Sequence, residues 1–215
     1  MTVTEPGAGA WVPPSPTPAL LRAAVQECRG CELYRGATQG VMGEGAASAR
    51  LMLLGEQPGD REDREGEPFV GPAGAVLHRA LGDAGIAEED VYITNVVKHF
   101  RFKTVGKRRI HESPGRQHVV ACLPWLGAEM TVVRPSGVVL LGATAGKALY
   151  GSSFRVGEAR GSFQDWPPGI GPDDVDPWVL ATTHPSAVLR ARDDRDAAYA
   201  ALVADLALAA TRLAA

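Results

Sequence analysis

The segment 95–111 combines the end of a hydrophobic strand with six Lys or Arg residues, no acidic residue and a terminal histidine. It is a local exception, because the whole chain has a net charge of -3. A basic loop with interleaved Phe100 and Phe102, at the carboxyl end of a strand, is suited to bind phosphate groups. A solvated loop is the alternative interpretation. An imidazole held among cations stays neutral, so His111 is available as a nucleophile or base.

The three cysteines form a second chemical motif. Cys28 and Cys31 are spaced as C-x-x-C, and Cys122 lies far along the chain. These soft ligands are one short of the four that zinc or an iron-sulfur centre usually takes, and His99 and His118 are both candidates for the fourth. A redox pair or a chance spacing is the alternative.

Strands and helices alternate along the chain. Short apolar runs predict strands at 51–54, 91–97, 137–142 and 178–182, and helical spacing predicts helices at 19–28, 71–85, 113–130, 143–150 and 194–213. We therefore expect a three-layer α/β/α fold with a central, mainly parallel four-stranded sheet. The strand exits at Gly55, Asn95 and His184 then converge on one edge of the sheet.

Length and composition favour one domain. With 215 residues, 45% of them hydrophobic, the chain can bury one sizeable core, which we assign to 19–215. The segment 1–18 holds five prolines and is expected to be a flexible tail. The apolar stretch 197–215 is interrupted by Asp205 and Arg212, so we expect a cytoplasmic protein that does not enter a membrane. A pI near 6.0 confines any nucleic-acid contact to a local patch.

Five ordered motifs resemble one known family. They are Gly55-Glu-Gln-Pro-Gly59, Pro68-Phe-Val-Gly71-x-x-Gly74, Tyr92-Ile-Thr-Asn-Val-Val-Lys98, Cys122-x-Pro-x-Leu126 and His184-Pro-Ser186. In that order they resemble the iron-sulfur uracil-DNA glycosylases of family 4, over about Cys28 to Arg190.

The resemblance implies a 4Fe-4S cluster. In that family its ligands are a C-x-x-C pair, a cysteine directly after V-V-K and the cysteine of C-x-P-x-L. The matching positions here are Cys28, Cys31, His99 and Cys122, with histidine replacing the third cysteine. Three thiolates and one imidazole should raise the reduction potential relative to four thiolates. A tetrahedral zinc would accept the same ligands.

A second departure points to one branch of the family. The inserted loop ends in Lys107-Arg108-Arg109-Ile110-His111, and this signature, with Gln57 and the histidine at position 99, resembles the UdgX branch. Members of that branch excise uracil and remain covalently attached to the abasic DNA through the histidine of this loop. The resemblance therefore implies that His111 captures the sugar.

Residue roles follow from the chemistry and the resemblance together. The expected catalytic residues are His111, Glu56 and His184, with Glu56 either orienting His111 or placing a water. The uracil pocket is expected to contain Gly55, Gln57, Asp60, Phe69, Asn95 and Ser186. Phosphate contacts are expected from Lys107, Arg108 and Arg109. The structural alternatives are a core role for Phe69, a strand-end cap for Asn95 and a helix cap for His184.

Three functions are compatible with these features. The leading hypothesis is a single-turnover uracil-DNA glycosylase that cross-links itself through His111. The second is a conventional multi-turnover glycosylase, and the third is a non-enzymatic, metal-containing module that binds nucleic acid. The expected partner is uracil-containing DNA, single- or double-stranded, bound by a monomer.

Overall fold

The computed structural model describes residues 6–215 and contains a central sheet in the order β1-β3-β2-β6-β8-β7, with a separate hairpin of β4 and β5. The strands are β1 Glu44–Gly45, β2 Leu51–Gly55, β3 Val91–Asn95, β4 Phe102–Val105, β5 Arg108–His111, β6 Gly137–Leu141, β7 Phe163–Gln164 and β8 Trp178–Thr182. The helices are α1 Pro18–Val25, α2 Asp60–Glu65, α3 Pro72–Asp83, α4 Arg116–Val133, α5 Ala143–Tyr150, α6 Val156–Ala159, α7 Pro185–Arg190 and α8 Arg195–Ala214.

The predicted α/β fold is confirmed. The four predicted strands are β2, β3, β6 and β8, and they pair in parallel. The strands β1 and β7 add antiparallel edges of two residues each, too short to give a sequence signal.

The central strands are buried on both faces. In β2, Met52 and Leu54 face the core beneath α1, α4 and α5, whereas Leu51 and Leu53 face the core beneath α3, α7 and α8. Alternate side chains of a strand point to opposite faces, and a parallel sheet covered on both sides therefore consists of nearly continuous apolar runs.

The basic segment forms a β-hairpin and not the expected loop. Phe102 pairs with His111 and Val105 with Arg108, so the turn residues are Gly106 and Lys107. Gly106 has a φ of 61°, and glycine with positive φ at the first turn position is typical of the type II′ turn that matches strand twist. Because strand side chains alternate, Arg109 and His111 share one face of the hairpin and Arg108 lies on the other.

Residues 7–11, within the segment predicted as a flexible tail, pack on the domain. A short 3₁₀ helix, Ala8–Trp11, packs against α4 with Ala8 buried, and the Gly7 N–H donates to the Gly30 carbonyl over 3.1 Å. The contact is close because a Cβ on Gly30 would lie 2.8 Å from the Ala8 nitrogen. The segment thus covers the turn between Cys28 and Cys31, and Met1–Glu5 lie outside the described residues.

The C-terminal helix is anchored to the sheet by a buried carboxylate. By length and composition, Arg192–Ala214 is apolar enough to cross a membrane. In the structure, however, Asp205 accepts hydrogen bonds from Thr182 over 2.6 Å and from Arg160 over 2.8 Å, while Leu202 and Leu206 are fully buried. These contacts are those of a helix packed on a protein core.

An ion pair with no solvent exposure links β3 to α4. Lys98 Nζ donates to Glu129 Oε2 over 2.7 Å and to the Asn95 carbonyl over 2.6 Å, and both side chains are 0% exposed. Glu129 Oε1 also accepts from the Gly43 N–H and the Thr94 hydroxyl. This full set of hydrogen bonds is what makes a buried pair of charges tolerable.

We expect Lys98→Met to destabilise the fold by about 3–5 kcal/mol, since it leaves the Glu129 carboxylate buried without its cation. Urea unfolding monitored by circular dichroism measures this change. The matched control is Arg50→Met, which breaks the exposed pair with Asp90 and should cost at most about 1 kcal/mol. Equal midpoints for Lys98→Met and Arg50→Met would contradict the structural role of the buried pair.

Candidate active site

The carboxyl ends of the parallel strands surround a cavity of about 730 Å³. Glu56 follows β2, Asn95 ends β3, Thr144 follows β6 and His184 follows β8, and all four line this cavity. The hairpin contributes His111. Open parallel sheets bind their ligands at this edge, so the predicted convergence of strand exits is observed.

Glu56 and His111 face each other across the cavity. His111 Nε2 lies 3.4 Å from Glu56 Oε1, and the His111 side chain is 49% exposed whereas Glu56 is 18% exposed. Glu56 Oε2 accepts a hydrogen bond from the Thr144 hydroxyl. Oε1 is buried without a hydrogen-bond partner, and it is therefore directed at the imidazole.

Asn95 and Phe69 form a tight pocket beside the end of β2. Asn95 is 2% exposed and its Oδ1 has no hydrogen-bond partner among the described residues. Gly55 makes room for both side chains, since a Cβ there would lie 2.3 Å from Asn95 Oδ1 and 2.8 Å from the Phe69 ring. The pocket therefore presents a buried, unused acceptor beside an aromatic ring, as a planar base with an N–H donor would require.

Phe69 holds a strained backbone conformation. Its φ of 56° lies in the left-handed region, where non-glycine residues are uncommon. The ring centroid is 5.9 Å from that of His184. Gly74 is needed behind it, because a Cβ at that position would overlap the Phe69 carbonyl oxygen. Strain of this kind persists where surrounding contacts over-determine a functional geometry.

The hydrogen bonds of His184 fix its tautomer. The Ser186 N–H donates to His184 Nδ1 over 3.1 Å, so the proton of the neutral ring is on Nε2. Burial lowers the pKa of His184 to about 4, with smaller contributions from Arg190 and His111. The ring is therefore neutral at physiological pH and acts as an N–H donor. Ser186 serves His184 as a positioning residue, and its hydroxyl also accepts from Arg190 over 2.9 Å.

Gln57 lines the cavity, and its side-chain amide also makes three hydrogen bonds to the segments beside the hairpin. Its Nε2 donates to the carbonyls of Arg101 and Glu112, both over 3.1 Å, and its Oε1 accepts from the Arg101 N–H over 3.0 Å. Those two residues flank the hairpin. The Gln57 amide thus fastens the base of the hairpin and has both of its donors engaged.

Arg109 and Asp60 form an ion pair, and Asp60 also lines the cavity. Arg109 forms ion pairs with Asp60 over 2.5 Å and Asp63 over 2.6 Å, is 16% exposed, and lies 4.9 Å from the Phe102 ring centroid. A guanidinium engaged in this way anchors the hairpin to α2, and Asp60 belongs to that anchor. Lys107 and Arg108 remain exposed at the tip of the hairpin.

The three cysteines and His99 are all buried. Cys28 and Cys31 lie near Cys122 of α4, and the Lys98 backbone, next to His99, forms a hydrogen bond with Cys122. Burial raises the pKa of Cys122 to about 12, and the charges of Cys28 and Cys31 raise it further. Trp125 Nε1 donates to Cys28 Sγ over 3.4 Å. Within residues 6–215, no group of three or more His, Cys, Asp or Glu side chains is arranged to hold a single metal ion.

The two candidate histidines have different surroundings. Burial lowers the pKa of His99 to about 4, so the ring is neutral and available as a ligand. His118 is engaged at both ring nitrogens, because Nδ1 accepts from the Gly115 N–H over 2.9 Å and Nε2 lies 2.6 Å from Glu32 Oε1. His118 therefore has a structural role at the start of α4, where both of its ring nitrogens are engaged.

Sequence reasoning missed several residues that line the cavity. Thr144 follows β6, and Leu189 and Arg190 are the last two residues of α7, whose first turn holds Ser186. The signal for Thr144 was available, because the exit of the third predicted strand reaches the same sheet edge as the other three.

Comparison with known proteins agrees with this geometry. The family model for the uracil DNA glycosylase superfamily matches residues 42–207. A type-4 uracil-DNA glycosylase of Thermotoga maritima is 36% identical over 81% of this chain and 84% of its own length. Those of Pyrobaculum aerophilum and Saccharolobus solfataricus are 34% and 33% identical over 79% of this chain, covering 83% and 76% of their own lengths. The chain belongs to the uracil-DNA glycosylase superfamily and is a DNA N-glycosylase.

Proposed function

We propose that this chain excises uracil from DNA and is then captured by the abasic sugar through His111. The observation that carries the proposal is the placement of His111 beside the partly buried Glu56 carboxylate, at 3.4 Å, in the cavity that also holds Asn95, Phe69 and His184. A single nucleophile is thus placed next to the groups that would release the base.

The pocket chemistry supports uracil as the base. Its N3–H supplies the donor that buried Asn95 Oδ1 lacks, and its flat ring can stack on Phe69. Cleavage leaves negative charge on the departing base, and the Nε2–H of neutral His184 can stabilise that charge. The flipped nucleotide must first leave its stack, at a cost of a few kcal/mol.

The bond changes balance as follows. The bond between C1′ and uracil N1 breaks, and its electron pair leaves with the uracil anion, which later takes a proton from water. One imidazole nitrogen of His111 donates its lone pair to the cationic C1′. The proton on the other nitrogen is released to water, so that the alkylated ring becomes neutral. A neutral imidazole bound in this way is a poor leaving group, and the adduct persists.

Glu56 assists the sugar step through its charge. Its carboxylate stabilises the positive charge that forms on the sugar and then on the imidazole. Because Oε1 has no hydrogen-bond partner among the described residues and lies 3.4 Å from His111 Nε2, it can also orient the ring of His111. This arrangement favours imidazole over water at C1′.

We expect His111→Ser to abolish the denaturant-resistant protein–DNA species while uracil release stays detectable, because release depends on Phe69, Asn95 and His184. Single-stranded DNA containing one uracil, analysed by SDS gel and by assay of free base, measures both outcomes. The matched control is His78→Ser on the exposed side of α3, which should cross-link as the wild type does.

Peptide mapping gives the site of attachment. After proteolysis of the wild-type adduct, mass spectrometry should find the abasic sugar on a peptide that contains His111. An adduct on Lys103 or Lys107 would point to a Schiff base and refute capture by imidazole, and multi-turnover release by the wild type would favour a conventional glycosylase.

We also propose that Cys28, Cys31, Cys122 and His99 hold a 4Fe-4S cluster. The donor set fits, because three thiols and one neutral imidazole are buried in one region, which the segment 7–11 covers. A four-iron cluster spans several ångströms, and its ligands are therefore further apart than those of one ion. When bound, the cluster would cross-link the turn that holds Cys28 and Cys31, the segment after β3, and α4. The excision chemistry uses other residues.

We expect His99→Ala to lose most of the iron, whereas His118→Ala should retain it, since the His118 ring is engaged with Glu32 and Gly115. Iron and sulfide analysis with visible absorption measures cluster content. His99→Cys supplies the thiolate found in the resembling family and should keep the cluster. Colourless wild-type protein with one equivalent of zinc would contradict the assignment.

The exposed tip of the hairpin is the proposed contact with DNA phosphates. Replacing Lys107 and Arg108 together by Ala should lower the slope of log affinity against log salt by about 1.4 on single-stranded DNA, or about 0.7 for each contact. Fluorescence anisotropy at several salt concentrations measures the slope. The control pair is Arg50→Ala with Arg134→Ala, at the opposite edge of the sheet, which should leave the slope unchanged.

A further inference from the structure

We propose that Thr144 is a positioning residue that holds the Glu56 carboxylate and thereby determines how the sugar cation partitions between His111 and water. The inference rests on the proposed cross-linking function. It assigns a role to a residue that is not among the site residues expected from the sequence. Its basis is one hydrogen bond, from the Thr144 hydroxyl to Glu56 Oε2.

The two carboxylate oxygens of Glu56 have different environments. Oε2 accepts from Thr144, whereas Oε1 is buried without a hydrogen-bond partner and lies 3.4 Å from His111 Nε2. A carboxylate held at one oxygen cannot rotate freely about its last torsion. The bond to Thr144 therefore directs Oε1, and with it the negative charge, at the imidazole.

The backbone around Thr144 is itself constrained. Thr144 is the second residue of α5, after Gly142, whose φ is 93°. A Cβ on Gly142 would lie 2.9 Å from the His184 Cβ, so the exits of β6 and β8 are in close contact. The first turn of a helix also favours a nearby carboxylate through its dipole. Thr144 is thus fixed relative to both His184 and Glu56.

The chemical consequence concerns two competing nucleophiles. When Oε1 points at His111, it orients the ring and stabilises the charge that the ring acquires. A carboxylate released from Thr144 can turn away from the ring and accept from a water instead, which activates that water toward the same C1′ atom. Removing the Thr144 hydroxyl should therefore shift the products from cross-link to free abasic site.

The experiment measures the fraction of released uracil that appears as cross-linked protein. We expect Thr144→Val to lower the ratio of cross-linked protein to free abasic site about tenfold or more, as loss of one hydrogen bond to a charged group predicts. Thr144→Ser keeps the hydroxyl and should restore the wild-type fraction, which a packing role for the methyl group would not predict. Thr144→Ala is the second deletion variant if the valine protein is unstable.

The matched control is Thr131→Val, because the Thr131 hydroxyl donates only to the Gly127 carbonyl, over 2.9 Å, on the exposed side of α4. It should leave the cross-linked fraction unchanged. A wild-type fraction in both Thr144→Val and Thr144→Ala, with His111→Ser free of cross-link, overturns the role of Thr144 alone. Absence of any cross-link in the wild type overturns the proposed function as well.

Discussion

The buried pair of Lys98 and Glu129 is the interaction on which the rest of the site depends. It joins the end of β3 to the middle of α4, and Lys98 reaches the Asn95 carbonyl as well. Asn95, three residues before Lys98, belongs to the proposed uracil pocket, and the residue after Lys98 is the proposed cluster ligand His99. Two desolvated charges stabilise a fold only when every partner is present, and here hydroxyl, amide and carbonyl groups complete the set. One short segment therefore fixes the base pocket and the proposed metal site together.

The hairpin is held by a second set of charges, and this explains where sequence reasoning failed. Arg108 and Arg109 are adjacent in a basic run, which by composition predicts phosphate contacts from both. In a hairpin the side chains alternate, so Arg109 turns inward with His111 and pairs with Asp60 and Asp63, while Arg108 stays outside. The anchor lies on α2, and no periodicity of the segment alone indicates that partner. Once the segment is recognised as a strand, the alternation of its side chains places Arg108 and Arg109 on opposite faces.

The parts of the molecule that were predicted correctly are those set by local sequence. Each parallel strand is a continuous apolar run, and the order of strands and helices then determines which ends share an edge. The segment 7–11 packs on the domain through tertiary contacts, such as that between Gly7 and Gly30, which proline content does not reveal. The place of Thr144 at the exit of β6 follows from the order of the strands, but its role does not, since that role depends on a hydrogen bond to a residue 88 positions away.

The folded protein holds two buried oxygens without hydrogen bonds among the described residues, Asn95 Oδ1 and Glu56 Oε1. Such groups cost about 1–3 kcal/mol each, and the strained Phe69 adds about the same. In the proposed reaction each cost is recovered at a different stage. Uracil N3–H donates a hydrogen bond to Asn95 Oδ1 on binding. The Glu56 carboxylate, in contrast, is fully stabilised only when the glycosidic bond breaks and positive charge forms on the sugar. The site therefore binds the base first and stabilises the sugar cation later. As a result, Glu56 Oε1 contributes to catalysis and not to substrate affinity.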